Sequence, residues 1–480
     1  MKPEAIRFGT DGWRSIIAED YTFENVRAVA RALAQHLITN QSEKARAGVA
    51  IGYDTRFLST EFARAVADEI AARGVPVLLS DRDAATPAIA YAVRSRGLAS
   101  GVMITASHNP PKYNGFKFFM PSGCSADQES TTSVESLLGT DTSTGDMSTH
   151  AAGHKAAQVT LFDPIPDFMA QLRRAIDFDL LKEARGRAVC DFVHGVGRGL
   201  LDDALRECGW EVRTIRANPD PMFDGVLPDP ANPLCHITLQ EAVREDRADI
   251  GLANDPDADR FGVVDATGTY ITPNQVLCLI YVHLLEHRKM SGRVARTVAT
   301  THLLDAIAAQ HGQQAPLETP VGFKWVGEAI DKGEVIFGGE ESGGLSIANH
   351  APNKDGVVAD LLLAEVWAVH SEPLSTTYAK IMEKYGSFFS SRIDVHLSVE
   401  QKDALMKTFR NDPPQSFSGS AVANVVTLDG VKLNLEDGSW LLLRPSGTEP
   451  LVRVYMEAQS EQRLKELASA AASISENASQ

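Results

Sequence analysis

The stretch LASGVMITASHNP, residues 98–110, is a mostly apolar run that passes directly into a polar loop. Its first eight residues have the character of a buried strand. Open α/β sheets place their ligands at such strand ends. Ser107 in this loop is a candidate nucleophile, and His108 beside it can accept or relay a proton. A Ser-His pair alone is more often a plain polar loop.

Helical and strand-like patterns alternate on both sides of this stretch. Apolar residues recur at helical spacing over 26–37 and 62–70, and short apolar runs at 48–52 and 75–79 predict buried strands. A second unit of the same kind covers 187–215, and a third follows it. Strands that alternate with helices predict an α/β architecture.

The size of the chain indicates several domains. It has 480 residues, more than one hydrophobic core usually organises. Apolar residues make up 44% and charged residues 23%, as in ordinary globular enzymes. Residues 122–158 are rich in Ser, Thr, Asp and Gly, which predicts a loop or linker that closes the first domain.

Charge and cysteine usage exclude several classes of function. The formal net charge of −17 disfavours nucleic acid and anionic membranes as partners. The longest apolar region, 276–285, is too short to span a bilayer. The N-terminal residues do not resemble a signal peptide, so a cytoplasmic location is expected. Five scattered cysteines disfavour a disulfide framework or a zinc site; they are Cys124, Cys190, Cys208, Cys235 and Cys278.

The segment DPDADR, residues 255–260, is a candidate metal loop. Its carboxylates at alternate positions, Asp255, Asp257 and Asp259, can converge on one hard cation such as Mg²⁺ or Ca²⁺ if the loop curls. It lacks the later Gly and the terminal Glu of an EF-hand. Apolar strands flank it on both sides, but from the loop alone a solvated acidic turn is an equal alternative.

Three further segments carry groups that suit sugar hydroxyls or a phosphate. In GGEESGG, residues 338–344, acidic and hydroxyl side chains suit sugar hydroxyls. RPSGTEP, residues 444–450, can form an anion nest closed by Arg444. FGTDGWR, residues 8–14, carries a second possible phosphate contact, Arg14. Taken singly, each segment can also be a plain turn.

Two other patterns are interpreted as structural. HGVGRG, residues 194–199, has the spacing GxGxG rather than the GxGxxG of dinucleotide loops, so we expect a tight strand-to-helix turn. His283 and His287 lie four apart on a predicted helix, but residue 284 is Leu rather than the Glu of an HEXXH zinc site.

Five of these segments, in this order, resemble the α-D-phosphohexomutase family along essentially the whole chain: FGTDGWR (8–14), TASHNP (105–110), DPDADR (255–260), GEESGG (339–344) and RPSGTEP (444–450). The resemblance implies four domains around a central cleft. Three would be similar α/β/α domains with mixed sheets, and the fourth a smaller C-terminal α+β domain. The expected bounds are 1–152, 153–263, 264–371 and 372–480.

The resemblance also implies roles for single residues. Ser107 would be the phosphoserine, and its phosphate would complete an Mg²⁺ site. The other implied metal ligands are Asp255, Asp257 and Asp259. The residues implied around the transferring phosphoryl group are Arg14, His108, Lys117, Arg260 and Lys354. The sugar-binding positions are Gly339, Glu340, Ser342 and Lys324, and the distal phosphate clamp is Arg444, Ser446, Gly447 and Thr448.

The implied activity is Mg²⁺-dependent conversion of glucose 1-phosphate and glucose 6-phosphate. The family mechanism proceeds through a glucose 1,6-bisphosphate intermediate that reorients by about 180° between two transfers. GEESGG resembles phosphoglucomutases more than the GEMSGH type with dual glucose and mannose use, or the GEQSGH type of phosphoglucosamine mutases. Gly344 replaces the final His of those types, so Lys117, His108 or Lys354 would have to move the proton.

Alternative functions belong to other classes. A phosphomannomutase or dual-specificity mutase, and less readily a phosphoglucosamine mutase, would use the same site. A metal-dependent sugar phosphatase would pass the phosphoryl group from Ser107 to water. A non-catalytic sugar-phosphate binding protein would not need the nucleophile and the three carboxylates that are present. The sequence does not indicate whether the protein is a monomer or a dimer.

Overall fold

The structure, a computed structural model, describes residues 2–40, 42–139, 156–230, 232–446 and 451–477. Four β-sheets follow one another along the chain, each with helices packed against it. The first three combine parallel and antiparallel strands, and the fourth is antiparallel throughout. The predicted α/β class with three mixed-sheet domains and a distinct C-terminal domain is confirmed.

The first sheet has six strands in the order β1–β5–β4–β2–β3–β6. They are β1 (Trp13–Ile16), β2 (Val49–Tyr53), β3 (Val77–Ser80), β4 (Ser100–Ile104), β5 (Tyr113–Phe119) and β6 (Val159–Phe162). Its helices are α1 (Phe23–Asn40), α2 (Ser42–Ala45), α3 (Ser59–Ala72), α4 (Thr86–Ser95) and α5 (Gln128–Leu137). The apolar faces that the sequence predicts for α1 and α3 share one buried core against the sheet.

Helix α5 corrects the expectation that residues 122–158 form a loop. The Asp127 side chain caps the helix by accepting a hydrogen bond from the Ser130 N–H at 2.7 Å. Thr131, Val134 and Leu138 recur at helical spacing and are buried. These buried residues pack against α1. The mostly polar composition of the segment does not reveal this short apolar face in the sequence. The expected boundary at residue 152 lies outside the described residues.

The second sheet has five strands in the order β11–β10–β9–β7–β8. They are β7 (Arg187–Asp191), β8 (Glu211–Ile215), β9 (Ile250–Asn254), β10 (Phe261–Asp265) and β11 (Tyr270–Ile271). Its helices are α6 (Ile165–Ala175), α7 (Phe178–Ala184), α8 (Leu201–Glu207) and α9 (Ile237–Asp246). Strands β9 and β10 form an antiparallel hairpin whose connecting loop is the candidate metal loop.

The third sheet has four strands in the order β13–β12–β14–β15. They are β12 (Val294–Thr297), β13 (Leu317–Thr319), β14 (Phe337–Gly339) and β15 (Leu345–Ile347). Its helices are α10 (Pro273–Glu286), α11 (Leu303–Gln310), α12 (Phe323–Asp331), α13 (Gly356–His370) and α14 (Leu374–Tyr385). Buried residues of α10 and α13 join one apolar core that continues into the second domain.

The fourth sheet has six strands in the order β16–β21–β20–β19–β18–β17. They are β16 (Phe389–His396), β17 (Ser416–Phe417), β18 (Ser420–Val426), β19 (Val431–Leu435), β20 (Trp440–Pro445) and β21 (Leu451–Ala458). The helices α15 (Val399–Asn411) and α16 (Glu461–Asn477) cover it and close a separate core. In the described ranges no helix combines the length and apolar composition that crossing a membrane requires.

Candidate active site

The loop after β4 presents Ser107 to the second domain. Ser107 is buried and has a φ of +51°, in the left-handed region that residues other than glycine seldom adopt. Its hydroxyl donates a hydrogen bond to Asp255 Oδ2 at 2.7 Å. The Nδ1 atom of His108 lies 3.4 Å from the same hydroxyl oxygen. A candidate nucleophile and a carboxylate from a different domain therefore meet directly.

The next strand, β5, brings a buried cation to the same place. Lys117 pairs with Met103 across β4 and β5, and its side chain is only 2% exposed. Its Nζ donates to Asp257 Oδ2 at 2.8 Å and to Asp259 Oδ2 at 2.7 Å. Burial alone would lower the pKa of Lys117, but the surrounding carboxylates raise it, so the ammonium form is the stable one.

The candidate metal loop holds its three aspartates completely buried. One oxygen from each of Asp255, Asp257 and Asp259 lies within 4.8 Å of the others. The Oδ1 atoms of Asp257 and Asp259 have no hydrogen-bond partner among the described residues. Burial, together with the two neighbouring carboxylates, raises the pKa of Asp255 well above its usual range. Buried carboxylate oxygens that lack donors fit a hard divalent cation such as Mg²⁺.

The glycine-containing turn at 194–199 supports this metal loop from behind. A side chain at Gly195 would place its Cβ 2.6 Å from Pro256 Cα, so only glycine fits this approach. The Val196 N–H also donates to the Pro256 carbonyl at 3.1 Å. The turn is the strand-to-helix connection that the sequence predicts, and it packs against the carboxylate cluster.

The predicted sugar loop is the hairpin turn between β14 and β15. Gly339 ends β14, where its backbone passes so close to Leu277 that a Cβ would lie 2.3 Å from Leu277 Cδ2. Arg260 of the metal loop donates to the Ser342 carbonyl at 3.2 Å. The metal loop of the second domain and the hairpin of the third domain are thus in direct contact.

Glu340 is the acidic group of this hairpin and is 5% exposed. Its Oε1 atom accepts a hydrogen bond from the Gly322 N–H at 2.8 Å. Burial and the neighbouring Glu341 raise the pKa of Glu340 to about 7, although Lys354 opposes the change. This carboxyl group therefore exchanges its proton near neutral pH.

Lys354 occupies the space over Gly344. A Cβ on Gly344 would lie 2.6 Å from Lys354 Cδ and 2.8 Å from its Cγ. The Nζ of Lys354 donates to Asp11 Oδ2 at 2.8 Å and lies 3.1 Å from Asp259 Oδ2. Burial alone would lower the pKa of Lys354, but Asp11 and Asp259 raise it. The missing side chain at position 344 thus leaves room for a lysine that reaches the cluster.

Asp11 is a residue of the site that the sequence did not single out. Its Oδ2 accepts from Lys354 and lies 3.1 Å from Lys117 Nζ and 3.5 Å from Arg14. Arg14 in turn donates to the Asn109 side chain at 2.8 Å, next to the serine loop. Asp11 is the only acidic residue of the FGTDGWR segment, which is the signal that could have indicated it.

Thr86 is a second such residue. Its hydroxyl donates to Asp257 Oδ2 at 2.6 Å, and its N–H donates to the Asp257 carbonyl at 2.9 Å. These two bonds fix one predicted metal ligand to the start of α4 in the first domain. Nothing in the local sequence TPAIAYAV indicates this contact, because it joins positions 171 residues apart.

His108 is neutral at the positively charged edge of the site. Burial lowers the pKa of His108 well below its usual range, and Arg260 and Arg14 lower it further. A neutral imidazole 3.4 Å from the Ser107 hydroxyl has a ring nitrogen available as an acceptor.

The remaining predicted residues lie at other edges of the third and fourth domains. Lys324 Nζ lies 3.4 Å from Gln128 Oε1 and 5.2 Å from the centre of the Trp325 ring. Arg444, near the end of β20, donates to Asp429 Oδ2 at 2.9 Å. The Ser446 N–H donates to the Leu451 carbonyl at 3.0 Å. Gly447 and Thr448 lie outside the described residues.

Comparison with known families covers nearly the whole chain. Residues 5–144, 166–268 and 272–385 match the three α/β/α domains, I to III, of the phosphoglucomutase/phosphomannomutase family, and residues 399–474 match its C-terminal domain. The chain belongs to the α-D-phosphohexomutase family. The predicted family is confirmed, and members of this family are mutases, which are isomerases that depend on Mg²⁺. The domain bounds expected from the sequence stay predictions.

Relatives of this phosphohexomutase carry several substrate names. A Methanothermobacter thermautotrophicus protein assigned as a phosphoglucosamine mutase is 31% identical over 95% of both chains. A Komagataeibacter xylinus phosphoglucomutase is 29% identical over 95% of this chain and 88% of its own. The crystal structure of a Thermus thermophilus protein assigned as a phosphomannomutase is 33% identical, with a TM-score of 0.83, and the match covers 98% of this chain and 99% of that one. These relatives therefore belong to one family with this chain, but their names give different hexose phosphates as substrates.

Proposed function

We propose that this phosphohexomutase is a phosphoglucomutase that converts glucose 1-phosphate and glucose 6-phosphate through phosphorylated Ser107 and glucose 1,6-bisphosphate. One observation carries the proposal. The Ser107 hydroxyl lies 2.7 Å from Asp255, inside a buried cluster of three aspartates and two lysines. A buried serine beside a cation site has the environment that a phosphoryl carrier needs.

Asp255, Asp257 and Asp259 would hold the Mg²⁺ ion together with the phosphate on Ser107. When bound, the ion neutralises charge on the phosphoryl oxygens. Lys117 and Arg260 add fixed positive charge around the same group. In the first transfer the bond from phosphorus to the Ser107 oxygen breaks as a bond to a sugar hydroxyl oxygen forms, and that hydroxyl loses its proton. In the second transfer the bond from phosphorus to the other sugar oxygen breaks as the bond to the Ser107 oxygen forms again, and that sugar oxygen takes up a proton.

Two side chains have protonation states suited to moving that proton. The neutral imidazole of His108 can accept it, and the ammonium of Lys354 can donate one. Lys354 reaches the cluster through the space over Gly344. The GEMSGH and GEQSGH motif types have His at the corresponding position. We therefore assign Lys354 the proton-transfer role that a histidine at 344 would otherwise have, with Arg14 orienting the transferring phosphoryl group.

Sugar and phosphate recognition would divide between the third and fourth domains. We assign the sugar hydroxyls to Gly339, Glu340, Ser342 and Lys324, and the distal phosphate to Arg444, Ser446, Gly447 and Thr448. A fixed clamp with a hairpin that reads equivalent hydroxyls suits an intermediate that binds in two orientations. A phosphatase that releases phosphate to water would need neither feature. Hexose phosphates are the substrates that the family supports, while the cytoplasmic location stays a prediction.

The test compares initial rates on glucose 1-phosphate, mannose 1-phosphate and glucosamine 1-phosphate with Mg²⁺ and trace glucose 1,6-bisphosphate, while released phosphate is measured. A large preference for glucose supports the proposal. Comparable rates on glucose and mannose indicate a dual mutase, and phosphate release without isomer formation would contradict a mutase. Ser107→Ala is expected to abolish the activity, and intact mass should show that it carries no phosphate.

A further inference from the structure

A buried arginine lies directly beneath the reactive serine loop. Arg56 follows β2 in the segment GYDTR, and its side chain has no exposed surface. Its Nε lies 3.2 Å from Asp54 Oδ2, and both partners of this ion pair are fully buried. Buried charged groups are stable in a fold only when they are paired and hydrogen-bonded. The other hydrogen bonds of the Arg56 guanidinium therefore show which part of the structure it supports.

The guanidinium donates to four carbonyl oxygens of the serine loop. One terminal nitrogen, Nη1, donates to the carbonyls of Pro110 and Tyr113 at 3.0 Å each. The other, Nη2, donates to the carbonyls of Ser107 and Asn109. The loop of residues 107–113 is thus hydrogen-bonded to one cation. A planar guanidinium group can donate to four carbonyls in this arrangement, and an ammonium group cannot.

The loop held in this way has an unusual backbone. Ser107 sits at a φ of +51°, and its own carbonyl is one of the four that accept from Arg56. Non-glycine residues hold such a conformation only when the surroundings impose it. The same conformation directs the Ser107 hydroxyl to Asp255 at 2.7 Å, so the Arg56 contacts and the aim of the nucleophile are parts of one geometry.

The second domain closes the other side of the guanidinium. The Phe223 ring centre lies 4.9 Å from the Arg56 carbon Cζ, and Phe223 is fully buried. A cation held over an aromatic face while its edges donate to carbonyls has little freedom to move. The position of Arg56 is therefore restrained by the domain that also supplies the metal loop, in addition to its own domain.

We propose that Arg56 is a positioning residue for phosphoryl transfer, which fixes the serine loop so that the Ser107 oxygen points at the cation site. It does not touch the substrate and acts only through the four carbonyls. The inference rests on the proposed function of Ser107 as phosphoryl carrier. A displacement of a nucleophile by about 1 Å can reduce transfer on the order of 100-fold.

The experiment uses the full chain and four variants, of which Arg56→Ala removes the guanidinium group altogether. Arg56→Lys keeps the charge but loses the fork of donors, Asp54→Asn keeps the fork but loses its anchor, and Arg64→Lys makes the same change on an exposed arginine of α3. Rapid quench and intact mass give the rate at which glucose 1,6-bisphosphate phosphorylates Ser107. Steady-state kinetics give KM for glucose 1-phosphate, and thermal melting shows which variants are folded at the assay temperature.

Folded Arg56→Lys is expected to phosphorylate Ser107 about 100-fold more slowly, with KM within about threefold of wild type, because the sugar and phosphate loops are untouched. Asp54→Asn should change in the same direction, and Arg64→Lys should match wild type. Guanidinium ions at tens of millimolar should restore part of the rate of Arg56→Ala. A purely structural role would lower the melting temperature and leave the rate of the folded variants unchanged.

Rates within threefold of wild type in both Arg56→Lys and Asp54→Asn would overturn the proposal. If Arg56→Lys does not fold, the proposal is tested by Asp54→Asn and by guanidinium rescue of Arg56→Ala. An unchanged phosphorylation rate in Asp54→Asn is then enough to reject the proposal. Failure of the wild type itself to become phosphorylated on Ser107 would instead reject the proposed function.

Discussion

Glu340 is a single carboxyl group whose titration links the stability of the fold to recognition of the sugar. Burial and Glu341 raise its pKa from 4.5 to about 7. The folded protein therefore binds a proton at Glu340 that the unfolded chain releases above pH 4.5. The contribution of this group to the free energy of unfolding falls as pH rises from about 4.5 to 7.

Glu340→Gln should consequently be the more stable protein at high pH. Relative to wild type, we expect its free energy of unfolding to be similar at pH 5 and about 2–3 kcal/mol higher at pH 8, since one pKa unit corresponds to about 1.4 kcal/mol. Its mutase activity should fall at both values. Denaturant unfolding at both values measures the difference, with exposed Glu334→Gln as the control. A stability gap that does not widen with pH would show that Glu340 is already ionised in the fold.

Gly344 and Lys354 form a second pair whose roles can be separated. Gly344→Ala puts a Cβ within 2.6 Å of the Lys354 side chain and should displace it from Asp11 and Asp259. We expect kcat to fall on the order of 10- to 100-fold, as for a misplaced acid or base. Lys354→Met keeps the apolar stem without the ammonium group.

Steady-state kinetics on glucose 1-phosphate should give the two variants the same loss. If Gly344→Ala is fully active while Lys354→Met is not, the lysine tolerates displacement. The opposite result would mean that the glycine matters for the backbone and not for the space it leaves.

For single residues, the sequence predicts which side chains are candidates for the reaction but not which side chains hold them in position. Ser107 and the three aspartates lie in segments with a recognisable pattern, so they could be proposed as site residues in advance, whereas Lys354 could be named only through the family resemblance. Asp11, Arg56 and Thr86 act through contacts with residues far along the chain, and Arg56 binds carbonyl groups that any sequence would supply. Residue types do not reveal such partners, although Asp11 stands out as the only acidic residue of FGTDGWR.

Among the elements, the β9–β10 hairpin brings three acidic side chains close together in its turn. Its turn holds three fully buried aspartates, and two of their oxygens have no donor within the part of the chain that the structure describes. Without a cation, mutual repulsion and burial of these carboxylates oppose folding. The arrangement that gives the hairpin its affinity for the ion therefore lowers the stability of the metal-free protein.

Asp255→Asn should raise the stability of the metal-free protein and lower its affinity for Mg²⁺. In EDTA at pH 8 we expect the variant to melt about 2–4 °C above wild type, because one buried charge is gone. Added Mg²⁺ should stabilise wild type, by about 2.7 kcal/mol at 100 times Kd, and should leave the variant nearly unchanged.

Melting curves with EDTA and with Mg²⁺ measure both effects, and exposed Asp163→Asn provides the control. A variant that melts below wild type in EDTA would indicate that the hydrogen bonds from Ser107 and from the N–H groups of Asp259 and Arg260 stabilise the carboxylate more than its neighbours repel it.

Elements with strong periodicity are the ones that the sequence predicts well. Helices α1, α3 and α10 and strands β2, β4 and β7 appear within a few residues of their expected places. Helix α5 does not, because Thr131 contributes to its buried stripe and the surrounding residues are mostly polar. Tertiary packing against α1 decides its structure, and composition alone could not show that contact.

The attachment of the fourth domain is a property of the whole molecule. Lys432 of β19 extends into the third domain, where its Nζ donates to the Val298 carbonyl at 2.9 Å and lies 2.8 Å from His302 Nε2. Trp440 packs over the same ammonium group, 4.3 Å from its ring centre. Because β20 leads from this contact to Arg444, the anchor and the proposed phosphate clamp share one sheet.

Lys432→Met should loosen the clamp without reaching Ser107. We expect KM for glucose 1-phosphate to rise about 10-fold, because one rigid interdomain contact becomes mobile. The rate of Ser107 phosphorylation at saturating glucose 1,6-bisphosphate should stay within about twofold. Lys407→Met, an exposed change on α15 of the same domain, is the matched control. An unchanged KM would mean that the other contacts between the two domains hold the fourth domain in place, such as the hydrogen bond from the His302 N–H to Glu457 Oε1 at 2.9 Å.

The long sequence separations of the site also set an order on its biosynthesis. Lys117 is made 140 and 142 residues before the carboxylates it pairs with, and Asp11 is made 343 residues before Lys354. At translation rates of about 5–20 residues per second, the gap before Asp259 emerges is roughly 7–30 s. During that time a nascent first domain carries Ser107 with no cation site to serve it. An incomplete chain would thus have no means of transferring phosphate. Activity would begin only when the third domain, with Lys354, and the fourth domain, with the proposed phosphate clamp, have left the ribosome.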